Sequence, residues 1–157
     1  MAIEAPVPTD APLLRVSGVA KSWPGGRQVL AGLDFSLDRG STLAIVGPSG
    51  GGKSTLLALL CGLARPDAGQ VLIEGRHAPR PGRDAAIIPQ DHGLLPWRTV
   101  LENAALGLKI AGVPRAQRDH AAREELSALG LAGRERDYPW RLSGGESQRV
   151  AIARAFA

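Results

Sequence analysis

The sequence predicts an α/β fold with a strand-rich front half and a helical back half. Three observations carry this. The apolar segment Ser41 to Val46 runs directly into a glycine-rich turn, Gly47-Pro48-Ser49-Gly50-Gly51-Gly52-Lys53-Ser54. The segment after that turn places Leu56, Leu59, Leu60 and Leu63 on one side of a helix. From Asp91 onward the character of the chain changes to helix, with no internal repeat and no low-complexity tract.

Taken in order, residues 1–12 form a Pro-rich lead-in, expected to be flexible. Leu13 to Val19 and Leu33 to Leu37 read as short strands, separated by a turn at Pro24-Gly25-Gly26. Ser41 to Val46 (STLAIV) has the unbroken apolar pattern of a strand buried on both faces of a parallel sheet. Lys53 to Leu63 is predicted as a helix, and Gln70 to Ile73 and Ala85 to Ile88 as two further strands. The helices expected beyond Asp91 are Val100 to Ile110, Arg115 to Leu129 and Glu146 to Ala157. The expected organisation is therefore 13–90 for the strands and the glycine-rich turn, and 91–157 for the helices.

Composition narrows the function classes. Of the 157 residues, 44% are apolar and 22% charged, which is globular and excludes a disordered tail. With only three Trp, one Tyr and two Phe, the core must be built from Leu, Ile, Val and Ala. No apolar run approaches the ~20 residues that span a bilayer, and the N-terminus has Glu4 but no basic region of a signal peptide. The single cysteine, Cys61, excludes an internal disulfide and suits a reducing cytosol, so a soluble cytoplasmic chain is expected. The net charge of +4 is dispersed, and aromatics are not interleaved with the basic residues as a base-stacking surface requires. No nucleic-acid partner is expected.

The turn from Gly47 to Ser54 matches G-x-x-x-x-G-K-[ST]. Glycines let the backbone fold back with its N–H groups directed into one concavity, which is an anion nest. The helix that follows adds its unpaired first-turn amides and the positive end of its dipole. Lys53 can set an ammonium against β- and γ-phosphates, and the Ser54 hydroxyl can ligate Mg²⁺. A glycine-rich surface turn would not need this lysine, this hydroxyl and this strand-to-helix setting together. The expected ligand is a nucleoside triphosphate.

A second motif, Leu142-Ser143-Gly144-Gly145-Glu146-Ser147-Gln148-Arg149, precedes the last predicted helix. A hydroxyl and bare glycine amides converge there, as a second anion site would require. An ordinary helix start explains it equally well: Ser143 as the N-cap and Glu146 completing a capping box. The presence of the first motif in the same chain favours the anion site.

LSGGESQR resembles the signature of the nucleotide-binding subunits of ABC transporters, and GPSGGGKST, from Gly47 to Thr55, resembles their Walker A segment. The resemblance implies an ABC-type P-loop NTPase with an antiparallel β subdomain and a helical subdomain, incomplete at its C-terminus. It implies that Trp23 stacks on adenine, that Gln90 ligates Mg²⁺ and reports to a transmembrane partner, and that Gly47 to Thr55 holds ATP. Leu142, Ser143, Gly144, Gly145, Glu146, Gln148 and Arg149 would act on the ATP of a second subunit in a head-to-tail dimer. Pro81-Gly82-Arg83-Asp84, Leu94 to Val100, Glu102-Asn103 and Tyr138-Pro139 are similar to the nitrate/sulfonate/taurine group of importer ATPases. Pro89 departs from the aromatic or aliphatic residue usual before the family's glutamine, and Gly51 stands where Cys is common.

The family pattern continues past the signature helix into an apolar strand ending Asp-Glu and then a switch histidine. This chain ends at Ala157, and His77, His92 and His120 all precede the signature. Val71-Leu72-Ile73-Glu74 is a poor substitute for the missing strand. By resemblance the chain covers roughly 60% of a full subunit, and the 157 residues alone are expected to be inactive. The leading expectation is the ATP-hydrolysing subunit of an ABC importer for a small anionic solute. It would lie on the inner face of the membrane with permease subunits and, indirectly, a solute-binding protein. The alternatives are a truncated non-catalytic nucleotide-binding fragment and a soluble ABC ATPase without a transport role.

Overall fold

The computed structural model describes residues 11–23, 25, 28–77, 80–82 and 84–157. The predicted lead-in therefore lies almost wholly outside the described residues, as do Pro24, Gly26 and Arg83. The chain forms two compact units, one ending at Ala86 and the other spanning Ile87–Ala157.

The first unit carries an antiparallel sheet in the order β2-β1-β3-β4, with β1 Leu14–Ser22, β2 Gln28–Leu37, β3 Ala68–Ile73 and β4 Arg76–His77. Leu14 and Val16 of β1 are buried and Arg15 between them is exposed, the alternation of a half-buried strand. The phase then breaks, and Val19 is the next buried residue. Gly18 has φ 58°, and a Cβ on Gly69 of β3 would lie 2.3 Å from the Gly18 carbonyl oxygen. This close glycine-on-glycine approach makes a bulge that returns Val19 to the inner face. Leu14 faces Leu37 on β2 and Ile73 on β3, and Val16 faces Phe35 and Val71. Leu59, from the helix α1 (Lys53–Leu60), completes the core with Leu14, Val16, Val19 and Val71. Each such side chain contributes about 1.5–3 kcal/mol on burial.

Helix α1 ends three residues before its predicted end at Leu63. The amides of Gly62 and Leu63 turn back onto the carbonyls of Leu59 and Ala58, at 3.1 and 2.8 Å, and Gly62 takes φ 71°. This is a Schellman ending, and it leaves Leu63 outside the helix and 59% exposed. The short strand β4 lies outside the predicted elements. It forms because Glu74 and Gly75, at φ 51° and 75°, make a two-residue hairpin turn after β3.

Two predicted strands do not form. Ser41 to Val46 is irregular, with Val46 89% exposed, Leu43 exposed and Ile45 half-buried. Ala85 to Ile88 makes one isolated bridge, Pro81 to Ala85, and leaves Ile87 and Ile88 exposed. A strand buried on both faces needs hydrogen-bonded neighbours, and among the described residues none pairs with residues 41–46.

The second unit is helical: α2 Val100–Ala104, α3 Leu106–Ile110, α4 Arg115–Ala128, one turn of 3₁₀ helix at Pro139–Arg141, and α5 Gly144–Phe156. The predicted helix from Val100 to Ile110 is interrupted at Ala105, although Ala105 still donates to Leu101 and accepts from Lys109. Helix α2 opens with a capping box between Thr99 and Glu102. Helix α4 closes through Gly130 (φ 71°), with the Leu131 amide on the Leu126 carbonyl at 2.8 Å and both leucines buried. Val100, Ala104, Ala122, Val150 and Ala153 pack with them, so small residues bring α2, α4 and α5 together. Asn103 is fully buried; it accepts from the Leu95 amide and donates to the carbonyls of Leu95, Arg98 and Thr99, fixing the segment before α2. Among the described residues no helix is long and apolar enough to cross a membrane.

Candidate functional site

The glycine-rich turn closes on itself through its lysine. The Lys53 ammonium donates to the carbonyls of Gly47 and Pro48, both at 2.7 Å, and the Gly51 amide donates to Pro48 at 3.2 Å. Gly47, Pro48, Ser49, Gly50, Gly51 and Ser54 are exposed, whereas Gly52 is buried. Gly52 is the N-cap of α1 at φ 87°, and no side chain caps the helix. The first-turn amides and the positive dipole end are thus left to an external anion, with a cation already folded over the loop. An exposed hydroxyl at Ser54 suits Mg²⁺, which takes one or two protein ligands and completes its shell with water and phosphate oxygens. No cluster of three or more His, Cys, Asp or Glu able to hold a metal occurs among the described residues.

Trp23 is brought to the same place. Its indole Nε1 donates to Thr55 Oγ1 at 3.0 Å, which sets the ring beside the first turn of α1. The ring is 45% exposed, and the Lys21 ammonium lies 5.5 Å from its centroid. Asp67 holds this end of β1: one carboxylate oxygen accepts from Lys21 Nζ at 2.6 Å and the other from the Ser22 amide at 2.7 Å. The Lys21 hydrogen bond, followed by the Ser22 amide, draws the Asp67 carboxyl below its ordinary range. A half-open ring next to a phosphate-type loop is what adenine stacking requires. Trp23→Ala is expected to weaken ATP binding by about 1–3 kcal/mol, on the scale of base–aromatic stacking. Trp23→Tyr, which keeps a stacking face, is expected to remain within a few-fold of wild type. Calorimetric titration checks both, and equal affinities for wild type and Trp23→Ala would leave Trp23 a packing role only.

In the second unit, Gln90 is exposed on a turn closed by the His92 amide on the Pro89 carbonyl at 3.0 Å. At the signature, Ser143 is the N-cap of α5 and the capping box is fully made. The Ser143 hydroxyl accepts from the Glu146 amide at 3.3 Å and donates to the Glu146 carboxylate at 2.8 Å; that carboxylate also accepts from the Ser143 amide at 2.8 Å. Those bonds, with Arg134 and Arg149 near by, hold the Glu146 carboxyl below its usual range. Gly144 and Gly145 are exposed at the helix start, Gln148 is exposed, and Leu142 packs on the helical core. Arg149 is half-buried, with a buried Nε that has no hydrogen-bond partner. The helix-cap explanation of Ser143 is thus realised in the geometry, and an anion at this point would compete with Glu146 for the hydroxyl.

Two residues of these sites escaped the sequence reading. Asp67 organises the Trp23 segment from 45 residues beyond Ser22, and Arg154 grips the turn after Gln90 from 61 residues beyond Gly93. Neither carries a local signal, because both contacts are made only by tertiary folding.

Several known proteins are similar to this chain. The taurine import ATP-binding protein TauB of Pseudomonas entomophila is 44% identical over 146 residues, covering 92% of this chain and 56% of that protein. TauB of Escherichia coli is 43% identical over 133 residues, covering 85% of this chain and 52% of its own length. TauB of Pseudomonas syringae pv. tomato is 42% identical over 146 residues, again covering 92% and 56%. The chain spans about half the length of these curated relatives. Residues 30–157 match the family described as ABC transporter, a match that takes in both the glycine-rich turn and the signature, and the chain belongs to that family.

Proposed function

We propose that this chain is the nucleotide-binding part of an ATP-hydrolysing subunit that energises an ABC importer of a small anionic solute, of the taurine, sulfonate or nitrate kind. The observation that carries the reading is the Lys53-closed glycine turn with Trp23 hydrogen-bonded into the helix that follows it. The loop amides and Lys53 hold the phosphates, Trp23 takes the adenine, and Ser54 with Gln90 would hold Mg²⁺, whose charge offsets that of the β- and γ-phosphates. Ser143, Gly144 and Gly145 serve the nucleotide of a second copy in a head-to-tail dimer. The pair works on the cytoplasmic face against permease subunits, with a solute-binding protein supplying the solute. The importer reading draws on the similarity to taurine import ATP-binding proteins.

Uptake of labelled taurine, an alkanesulfonate and nitrate by the native host tests this, with the gene intact, deleted, and restored. Loss of uptake of one of these anions on deletion, recovered on restoration but not by a Lys53→Ala gene, is the expected result. Unchanged uptake of all three would refute the importer reading.

These 157 residues alone are expected not to turn over ATP. Phosphoryl transfer depends on placing the attacking water and neutralising developing charge. The assigned residues supply phosphate and Mg²⁺ contacts, and none is a carboxylate poised over a γ-phosphate. Phosphate release by the purified chain is expected to be indistinguishable from that of Lys53→Ala. Robust Lys53-dependent release would show that one of the acidic residues assigned here to the fold orients water.

A further inference from the structure

The helix that starts at the signature ends at the Gln90 turn. Arg154 lies near the C-terminal end of α5, and its guanidinium donates from Nη1 to the Gly93 carbonyl at 2.6 Å and from Nη2 to the His92 carbonyl at 2.8 Å. Both peptide groups belong to residues in the left-handed region, His92 at φ 63° and Gly93 at φ 57°. For His92 that conformation is costly, and it persists only where surrounding contacts over-determine it. The contacts are present: the His92 amide on Pro89, the Gly93 amide on Asp91 Oδ1 at 3.2 Å, and the Arg154 fork on the two carbonyls. A Cβ on Gly93 would meet Pro89 Cγ at 2.9 Å, so the proline before Gln90 and the glycine after it are fitted to each other. A turn from Pro89 to Gly93 with one backbone path fixes the direction in which Gln90 leaves it. The planar guanidinium sets a separate nitrogen on each of the two carbonyls, a spacing that the single nitrogen of a lysine at this position does not reproduce.

We propose that Arg154 is a positioning residue: it binds the Gln90 turn to the signature helix and thereby sets where the Gln90 carboxamide meets the Mg²⁺–nucleotide. This rests on the reading of Gln90 given above.

The test measures ATP affinity in Mg²⁺ and in EDTA for wild type, Gln90→Ala, Arg154→Ala, Arg154→Lys and the Gln90→Ala/Arg154→Ala double variant. Gln90→Ala is expected to remove most of the enhancement that Mg²⁺ gives. Arg154→Ala is expected to cut that enhancement at least threefold while leaving the EDTA affinity within twofold of wild type. The double variant is expected to be no worse than Gln90→Ala, because both act through one carboxamide. Hydrogen exchange covers the case in which Arg154→Ala fails to fold. In Arg154→Lys the His92 and Gly93 amides are expected to exchange at least tenfold faster, with α4 amides unchanged. Equal losses with and without Mg²⁺, additive losses in the double variant, or unchanged exchange in Arg154→Lys would overturn the proposal. A Gln90→Ala variant with a normal Mg²⁺ response would instead overturn the assignment of Gln90 itself, and the role given to Arg154 with it.

Discussion

Lys53→Ala is expected to lower ATP affinity tenfold or more. The ammonium closes the glycine turn through Gly47 and Pro48. It is also the cation that the loop offers to the β- and γ-phosphates. A charge-assisted hydrogen bond of this kind contributes about 1.5–3 kcal/mol, and 1.4 kcal/mol already corresponds to a factor of ten in Kd. The loss is expected to depend on phosphate number. AMP has neither a β- nor a γ-phosphate and is expected to bind the variant nearly as well as wild type, whereas ATP loses most. Titrating AMP, ADP and ATP against both proteins separates two causes. A graded loss from AMP to ATP follows from a lost phosphate contact, and an equal loss for all three follows from a loosened loop. Unchanged ATP affinity would remove Lys53 from the site.

Legibility in the sequence followed the range of the forces involved. The glycine-rich turn and the start of α4 are readable because neighbouring residues decide them, Pro114 preceding that helix. Helix α5 instead begins at Gly144, two residues before the predicted Glu146, because the Ser143–Glu146 capping box opens it at Ser143. The early end of α1 is also local, but the apolar pattern running on to Leu63 masked the signal of Gly62. Ser41 to Val46 failed for a different reason. Its apolar pattern is that of a central strand, but a strand is a statement about neighbours, and no described strand pairs with it. The site divided along the same line. The loop and the signature were legible as strings. The bond from Trp23 to Thr55 across 32 residues, the anchoring of Lys21 by Asp67 across 46, and the grip of Arg154 on the Gln90 turn are side-chain contacts with no periodicity to betray them.

Gly52→Ala is expected to destabilise the first unit by about 2–5 kcal/mol, from two separable causes. The motif accounts for Gly52 as part of an anion nest, and the structure adds that it is the contact between the loop and β2. Its φ of 87° costs an L-residue about 1–2 kcal/mol. The added Cβ would lie 2.9 Å from Leu30 Cδ2 and 3.0 Å from both Val29 Cγ1 and the Val29 carbonyl oxygen. Crowding of this kind in a packed site costs about 1–3 kcal/mol. The Leu30 side chain can turn away, but the Val29 carbonyl belongs to the β2 backbone and has no such freedom. In a Leu30→Ala background Gly52→Ala is therefore expected to recover only part of its loss, with the φ penalty and the carbonyl clash remaining. Urea denaturation of the four proteins of this cycle measures the split. ATP affinity of the folded fraction is expected to fall as well, because a shift of Gly52 moves Lys53 and the first-turn amides together. A Gly52→Ala protein with wild-type stability would mean that the loop rests on β2 far more loosely than these distances require.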